Sequence, residues 1–131
     1  MKKDINFHIA EHVQVVALQE WDDEFLAKSW NVYLVNNASE AIETVLIVTR
    51  GKSEDRKTST LRYNLGSMKP QTAKKIEFIL EEVLSFTNEY MVTYFSEDKL
   101  HDKRFVFDAN QISEKNTKAI AVLDAKGVVA K

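Results

Sequence analysis

His8-Ile9-Ala10-Glu11-His12 has the H-x-x-E-H spacing of a zinc-peptidase motif. That chemistry needs both imidazoles within about 2.1 Å of one zinc ion. A helix brings residues i and i+4 together one turn apart, whereas a strand sets them about 13 Å apart. Ile5, Phe7 and Ile9 alternate with Asn6 and His8, which predicts a strand. The two histidines are therefore expected at an edge or on the surface, and no metal site is expected. Asp22-Asp23-Glu24 and Glu81-Glu82 are paired carboxylates. Adjacent acids on an exposed segment do not make the opposed pair that acid–base catalysis requires. Glycines stand singly at 51, 66 and 127, so no phosphate-cradling loop and no G-x-S-x-G elbow is present. There is no Cys, which removes disulfides and thiolate chemistry. The residues thus predict no catalytic group, no metal and no cofactor.

The remaining chemistry is charge. Net charge over the 131 residues is −2, which gives no global attraction to nucleic acid or an anionic membrane. Its distribution is uneven. Residues 50–75 carry eight basic groups against two acids, and residues 76–102 carry one Lys against seven acids. Arg50, Lys52, Arg56, Lys57, Arg62, Lys69, Lys74 and Lys75 would line one edge if this stretch forms a hairpin and loop. Ser53, Thr58, Ser59 and Thr60 add hydroxyls suited to phosphate oxygens. Tyr63 is the single aromatic among them, where single-strand binders interleave several. An acidic protein surface, including the 76–102 face of a second copy, fits the basic stretch better than RNA does. Trp30, heading a strand, reads as a core anchor, and Trp21 reads as partly covered by its loop.

The elements that must hold these groups are strands. Val, Ile, Thr, Tyr, Phe and Trp make 42 of 131 residues, and the length suits one domain over 1–131. Ile5–Ala17 reads as one long or bulged strand, and 20–29 as a polar connection or short helix. Further strands are expected at 30–35, 42–49, 58–65, 88–96 and 103–108. The 42–49 stretch is the most apolar and is placed centrally. Ser96-Glu97-Asp98-Lys99 suits a type I-based hairpin loop. Ala119–Leu123 and Gly127–Ala130 suggest a short strand or a packing arm.

Residues 70–86 read two ways. Ile76, Ile79, Leu80, Val83 and Leu84 form a helical stripe, while Ile76, Phe78 and Leu80 alternate as in a strand. A strand followed by a turn completes about seven strands at sandwich spacing, and the approach to Tyr90 resembles a tyrosine corner. The predicted fold is all-β, an immunoglobulin-like antiparallel β-sandwich of about seven strands. The alternative is α+β, with a helix at 72–86 on an antiparallel sheet.

Several blocks resemble a group of small bacterial β-rich proteins, some of them labelled phenylalanyl-tRNA synthetase alpha subunit. They are Trp30–Asn37, Glu43–Val48, Thr58–Arg62, Lys75–Ile79 and Asp102–Phe107. The resemblance implies an accessory role near tRNA or a synthetase. The residues themselves predict a non-catalytic protein-interaction module, with a second copy of the chain among its candidate partners. Met1-Lys2-Lys3 runs into Asp4 without an apolar stretch, and no apolar run approaches a membrane span. A cytoplasmic location and no membrane contact are expected. The alternative function is an RNA- or tRNA-associated accessory protein using the basic residues of 50–75.

Overall fold

A computed structural model describes residues 8–9, 12–24 and 26–131. The chain is an all-β sandwich. Its strands are β1 (His8–Ile9), β2 (Val13–Trp21), β3 (Lys28–Asn36), β4 (Ile42–Lys52), β5 (Leu61–Met68), β6 (Thr72–Ile79), β7 (Thr87–Ser96), β8 (Lys99–Phe107), β9 (Lys118–Ile120) and β10 (Ala125–Val129). One sheet has the order β1-β8-β7-β4-β5 and the other β6-β3-β2-β10-β9. Among the described residues, every strand pairing is antiparallel except β1 with β8.

Alternation builds the core. Val13, Val15 and Ala17 of β2 and Trp30, Val32 and Leu34 of β3 face Ile47 of β4, Tyr90 and Val92 of β7, and Phe105 and Phe107 of β8. Trp30 is the core anchor its position suggested. Phe107 meets the Tyr90 ring edge-on, with centroids 5.9 Å apart. Strand β3 looks apolar on both sides because it is covered on both. Val35, with Val16 and Leu18, lies beneath Ile120 and the 3₁₀ turn Ala121–Leu123.

The seven expected strands correspond to β2–β8, and the C-terminal stretches expected as a short strand or arm form β9 and β10. Ile5–Ala17 is not one strand. β1 and β2 belong to opposite sheets, and the Ile5–Phe7 part of that expectation lies outside the described residues. The 20–29 stretch is the tip of the β2–β3 hairpin, and Trp21 pairs with Lys28. Strand β4 is interior to its sheet, but one face meets solvent, where Leu46 is exposed.

Residues 72–86 are strand β6 and then a 3₁₀ turn at Glu81–Ser85, so the helical alternative is not what forms. The tyrosine-corner expectation also fails. The Tyr90 hydroxyl crosses the sandwich to Glu77 instead of returning to its own turn. Asn88 secures that turn, its Nδ2 donating to the carbonyls of Val83 and Phe86.

The β7–β8 hairpin closes with two residues, Glu97 and Asp98, at φ 52° and 63°. Positive φ at both positions marks a type I′ turn, whose twist matches the strands, not the type I loop expected from the sequence. Asp98 tolerates that backbone, but Glu97 is poorly suited to it, and Gly would suit the second position better. Glu97→Asn with Asp98→Gly is expected to stabilise the fold by about 1 kcal/mol, read as a higher urea midpoint at unchanged slope.

Candidate functional site

Strands β5 and β6 are edge strands of opposite sheets on the same side of the sandwich. How that side closes defines the site. Near the β5–β6 connection, Lys74 Nζ donates to the carbonyls of Leu65 and Ser67 at 2.7 and 2.9 Å. The ammonium ties the edge of one sheet to the other. Midway, Glu77 accepts the Tyr63 hydroxyl on Oε1 at 2.8 Å and the Tyr90 hydroxyl on Oε2 at 2.7 Å. Beyond that point the sheets part, and a cleft of about 190 Å³ opens between them.

A β-bulge puts Glu77 there. The β3–β6 register shifts between Val32 and Tyr33, which pair with Glu77 and Lys75 and leave Ile76 over. Ile76 is buried in the core, and Glu77 reaches inward beside it. A bulge commonly re-aims a side chain in this way. The cleft walls come from Leu61, Phe78, Leu80 and Val83, and Tyr90 and Glu77 lie at its floor. Leu61, Phe78 and Leu80 are 47%, 57% and 53% exposed.

Burial, reinforced by the bond to Glu77 and its charge, pushes Tyr63 up to about 12. Burial likewise holds Tyr90 well above the ordinary phenol value, with the Glu77 charge and bond adding to it. On the outer face of the other sheet, Tyr33 donates to Glu20 and is likewise pushed, chiefly by burial, up to about 12. These folded values lie above the ordinary 10. The stability from these contacts is whole below pH 10 and drains away as pH climbs through about 12. In an alkaline absorbance titration, Tyr33, Tyr63 and Tyr90 are expected to stay silent through pH 10. They should then ionise together with unfolding, and three free-phenol titrations near 10 would contradict this.

The predicted basic residues do not form one edge. Arg50, Lys52 and Lys57 come together with Thr58 and Thr60 in a shallow hollow that adjoins the cleft through Arg50, Gly51 and Thr58. Arg56 instead lies over the Phe86 ring, and Lys74 is committed to β5 carbonyls. Arg62 lies on β5, Lys69 in the β5–β6 connection and Lys75 on β6 in the opposite sheet. Thr58, expected as a phosphate-binding hydroxyl, accepts from the Gly51 N–H at 2.7 Å.

A buried carboxylate that the sequence did not disclose contacts one residue of the hollow, Arg50. Glu89 of β7 accepts from Arg104 Nε, with Arg50 Nε at 3.7 Å on the other side. The Arg104 hydrogen bond, then the nearby Arg104, Arg50 and Lys52 charges, hold it below the usual carboxylate range against the opposing effect of burial.

The histidine motif yields no such grouping. His8 lies in β1, His12 is exposed, and Glu11 falls outside the described residues. Among the described residues, no three His, Asp or Glu side chains gather as a metal set. Among them, too, no helix is long and apolar enough to cross a membrane. Glu77, Tyr63 and Tyr90 had no motif to announce them; two tyrosines and a glutamate on three strands are ordinary until the bulge aligns them. No family model, curated protein or solved structure matches the chain.

Proposed function

We propose that the chain is a non-catalytic, cytoplasmic protein-interaction module that receives its partner in the cleft between β5 and β6. The carrying observation is the gathering of Leu61, Phe78 and Leu80, all exposed, around one opening between the sheets. Large apolar side chains scattered singly on a surface mean little, but three around a cleft mark a binding surface. The cleft's 190 Å³ is below the 300–1,000 Å³ typical of small-molecule and cofactor sites. It suits one large side chain of a partner.

The polar groups at its floor support a binding role over a catalytic one. Both Glu77 oxygens are taken by hydroxyls, and both tyrosines are held protonated well above neutral pH. Such groups fix geometry and do not supply a nucleophile or a poised base.

Strand order supports an immunoglobulin-like reading. With β2–β8 lettered A, B, C, C′, E, F and G, the sheets run E-B-A and G-F-C-C′. Fold alone does not give function, and the cleft carries the argument. The cytoplasmic part rests on the cysteine-free composition.

The test is capture on tagged protein from the native cell, with and without nuclease, comparing wild type with Leu61→Ser/Phe78→Ser. A stoichiometric protein that survives nuclease and is lost with the variant is the expected result. The opposing result is tRNA enrichment that nuclease removes, that Lys52→Glu/Lys57→Glu abolishes and that the apolar variant retains. It would establish instead the accessory role near tRNA that the sequence resemblance implies, with the steep salt dependence of phosphate contacts.

A further inference from the structure

We infer that the partner received in this cleft is the β2–β3 hairpin tip of a second copy of the chain. The inference rests on the reading of the cleft as a protein-binding site and names its occupant. Two features of the molecule are chemically opposite. The cleft has apolar walls at Leu61, Phe78 and Leu80 and adjoins the cationic hollow of Arg50, Lys52 and Lys57. The hairpin tip exposes Trp21 and Leu26, at 54% and 76%, beside Asp22, Asp23 and Glu24. Among the described residues, none of these three acids forms an ion pair, and neither does Lys52 or Lys57. Both sides therefore present charge available to a partner.

The tip is already shaped. Asp22 Oδ1 accepts the N–H groups of Glu24 and Leu26 at 3.2 and 2.9 Å, and the Asp22 N–H donates to the Ala27 carbonyl at 2.8 Å. Bonds already made in the free chain lower the entropy lost on docking. Exposed Trp is also the residue type most often found as an interface anchor.

Position allows the exchange to close. Trp30 pairs with Ile79, and Lys52 pairs with Thr87. The hairpin tip, the end of β6 and the end of β4 therefore lie at one end of the sandwich. Two copies meeting end to end can each offer a tip to the other's cleft about a two-fold axis. That arrangement is a closed dimer and not a growing fibre.

Sedimentation of the full chain, from micromolar to near-millimolar concentration, tests this. The expected result is a reversible species at twice 15.1 kDa that weakens with added salt. Two exposed charge reversals, Asp23→Lys/Glu24→Lys on the tip and Lys52→Glu/Lys57→Glu by the cleft, should each weaken it by about a hundredfold. Both leave Asp22 in place, and circular dichroism checks their folding. Mixing the two variants should restore the dimer, because each tip then faces a cleft of opposite charge.

A dimer indifferent to the tip variant, or a mixture that stays monomeric, would overturn the inference. So would a wild-type monomer at every concentration. If the Leu61/Phe78-dependent capture of another protein survives such a result, only the identity of the occupant falls. If that capture is absent too, the binding-site reading falls with it.

Discussion

Replacing Glu77 by Ala is expected to cost about 3 kcal/mol of stability, seen as a fall in the urea midpoint on the order of 1–2 M. The carboxylate holds two phenols from two strands of the facing sheet. Its loss leaves the hydroxyl of Tyr90, a residue 1% exposed, without its acceptor. An unsatisfied buried donor carries most of the penalty, and the vacated volume adds to it. Tyr63 is only half-buried, so its hydroxyl can turn to solvent and costs less.

Glu77→Gln should fall between, near 1 kcal/mol, because its carbonyl accepts one phenol while its amide must donate to the other. The triple change Tyr63→Phe, Glu77→Leu, Tyr90→Phe should recover most of the loss. Removing all the partners of a buried polar group leaves nothing unpaired. If Glu77→Ala cost under about 0.5 kcal/mol, Lys74 and apolar packing alone would be holding the two edges together.

That same glutamate explains why one segment was hard to read. In a regular strand, inward residues recur at every second position. The bulge breaks this period by placing Ile76 and Glu77 inward together, with Ile79 following. The chain then leaves β6 and winds through the 3₁₀ turn, where Val83 and Leu84 are half-buried. A bulge followed by a 3₁₀ turn thus gives the i, i+3, i+7, i+8 spacing of a helix stripe without a helix. Strands β2, β3, β7 and β8 had no such irregularity, and their alternation and turn residues disclosed them.

Charge was legible as a count but not as a place. The basic run of 50–75 spans two edge strands in opposite sheets, so only Arg50, Lys52 and Lys57 come together. Glu89 belongs to the acidic run of 76–102 but meets its arginines across β4 and β8, at positions no local pattern connects. Phe78 and Leu61 read as ordinary strand members. Only the topology shows that they border an opening.

Gly127→Ala is expected to cost about 2–3 kcal/mol, and to do so locally first. Gly127 sits in β10, the neighbour of β2 in the same sheet, beside Val16 and Leu18. A Cβ there would stand 2.5 Å from Val16 Cγ1, 2.8 Å from Leu18 Cδ2 and 3.0 Å from the Ala17 carbonyl oxygen. The side chains could rotate at some cost, but the backbone oxygen cannot yield without moving β10 away from β2. That movement would lift Ile120 and Val122 from Val16, Leu18 and Val35, the small second core. The first sign should be faster amide exchange at 118–129 while β4, β7 and β8 keep their protection. Val16→Ala in the same chain removes the methyl at the closest contact, so the double variant should regain part of the loss. A coupling of about 1 kcal/mol in the double-mutant cycle would place the strain at that contact. Strict additivity would instead assign the cost to Leu18 and the Ala17 carbonyl, which truncating Val16 does not relieve.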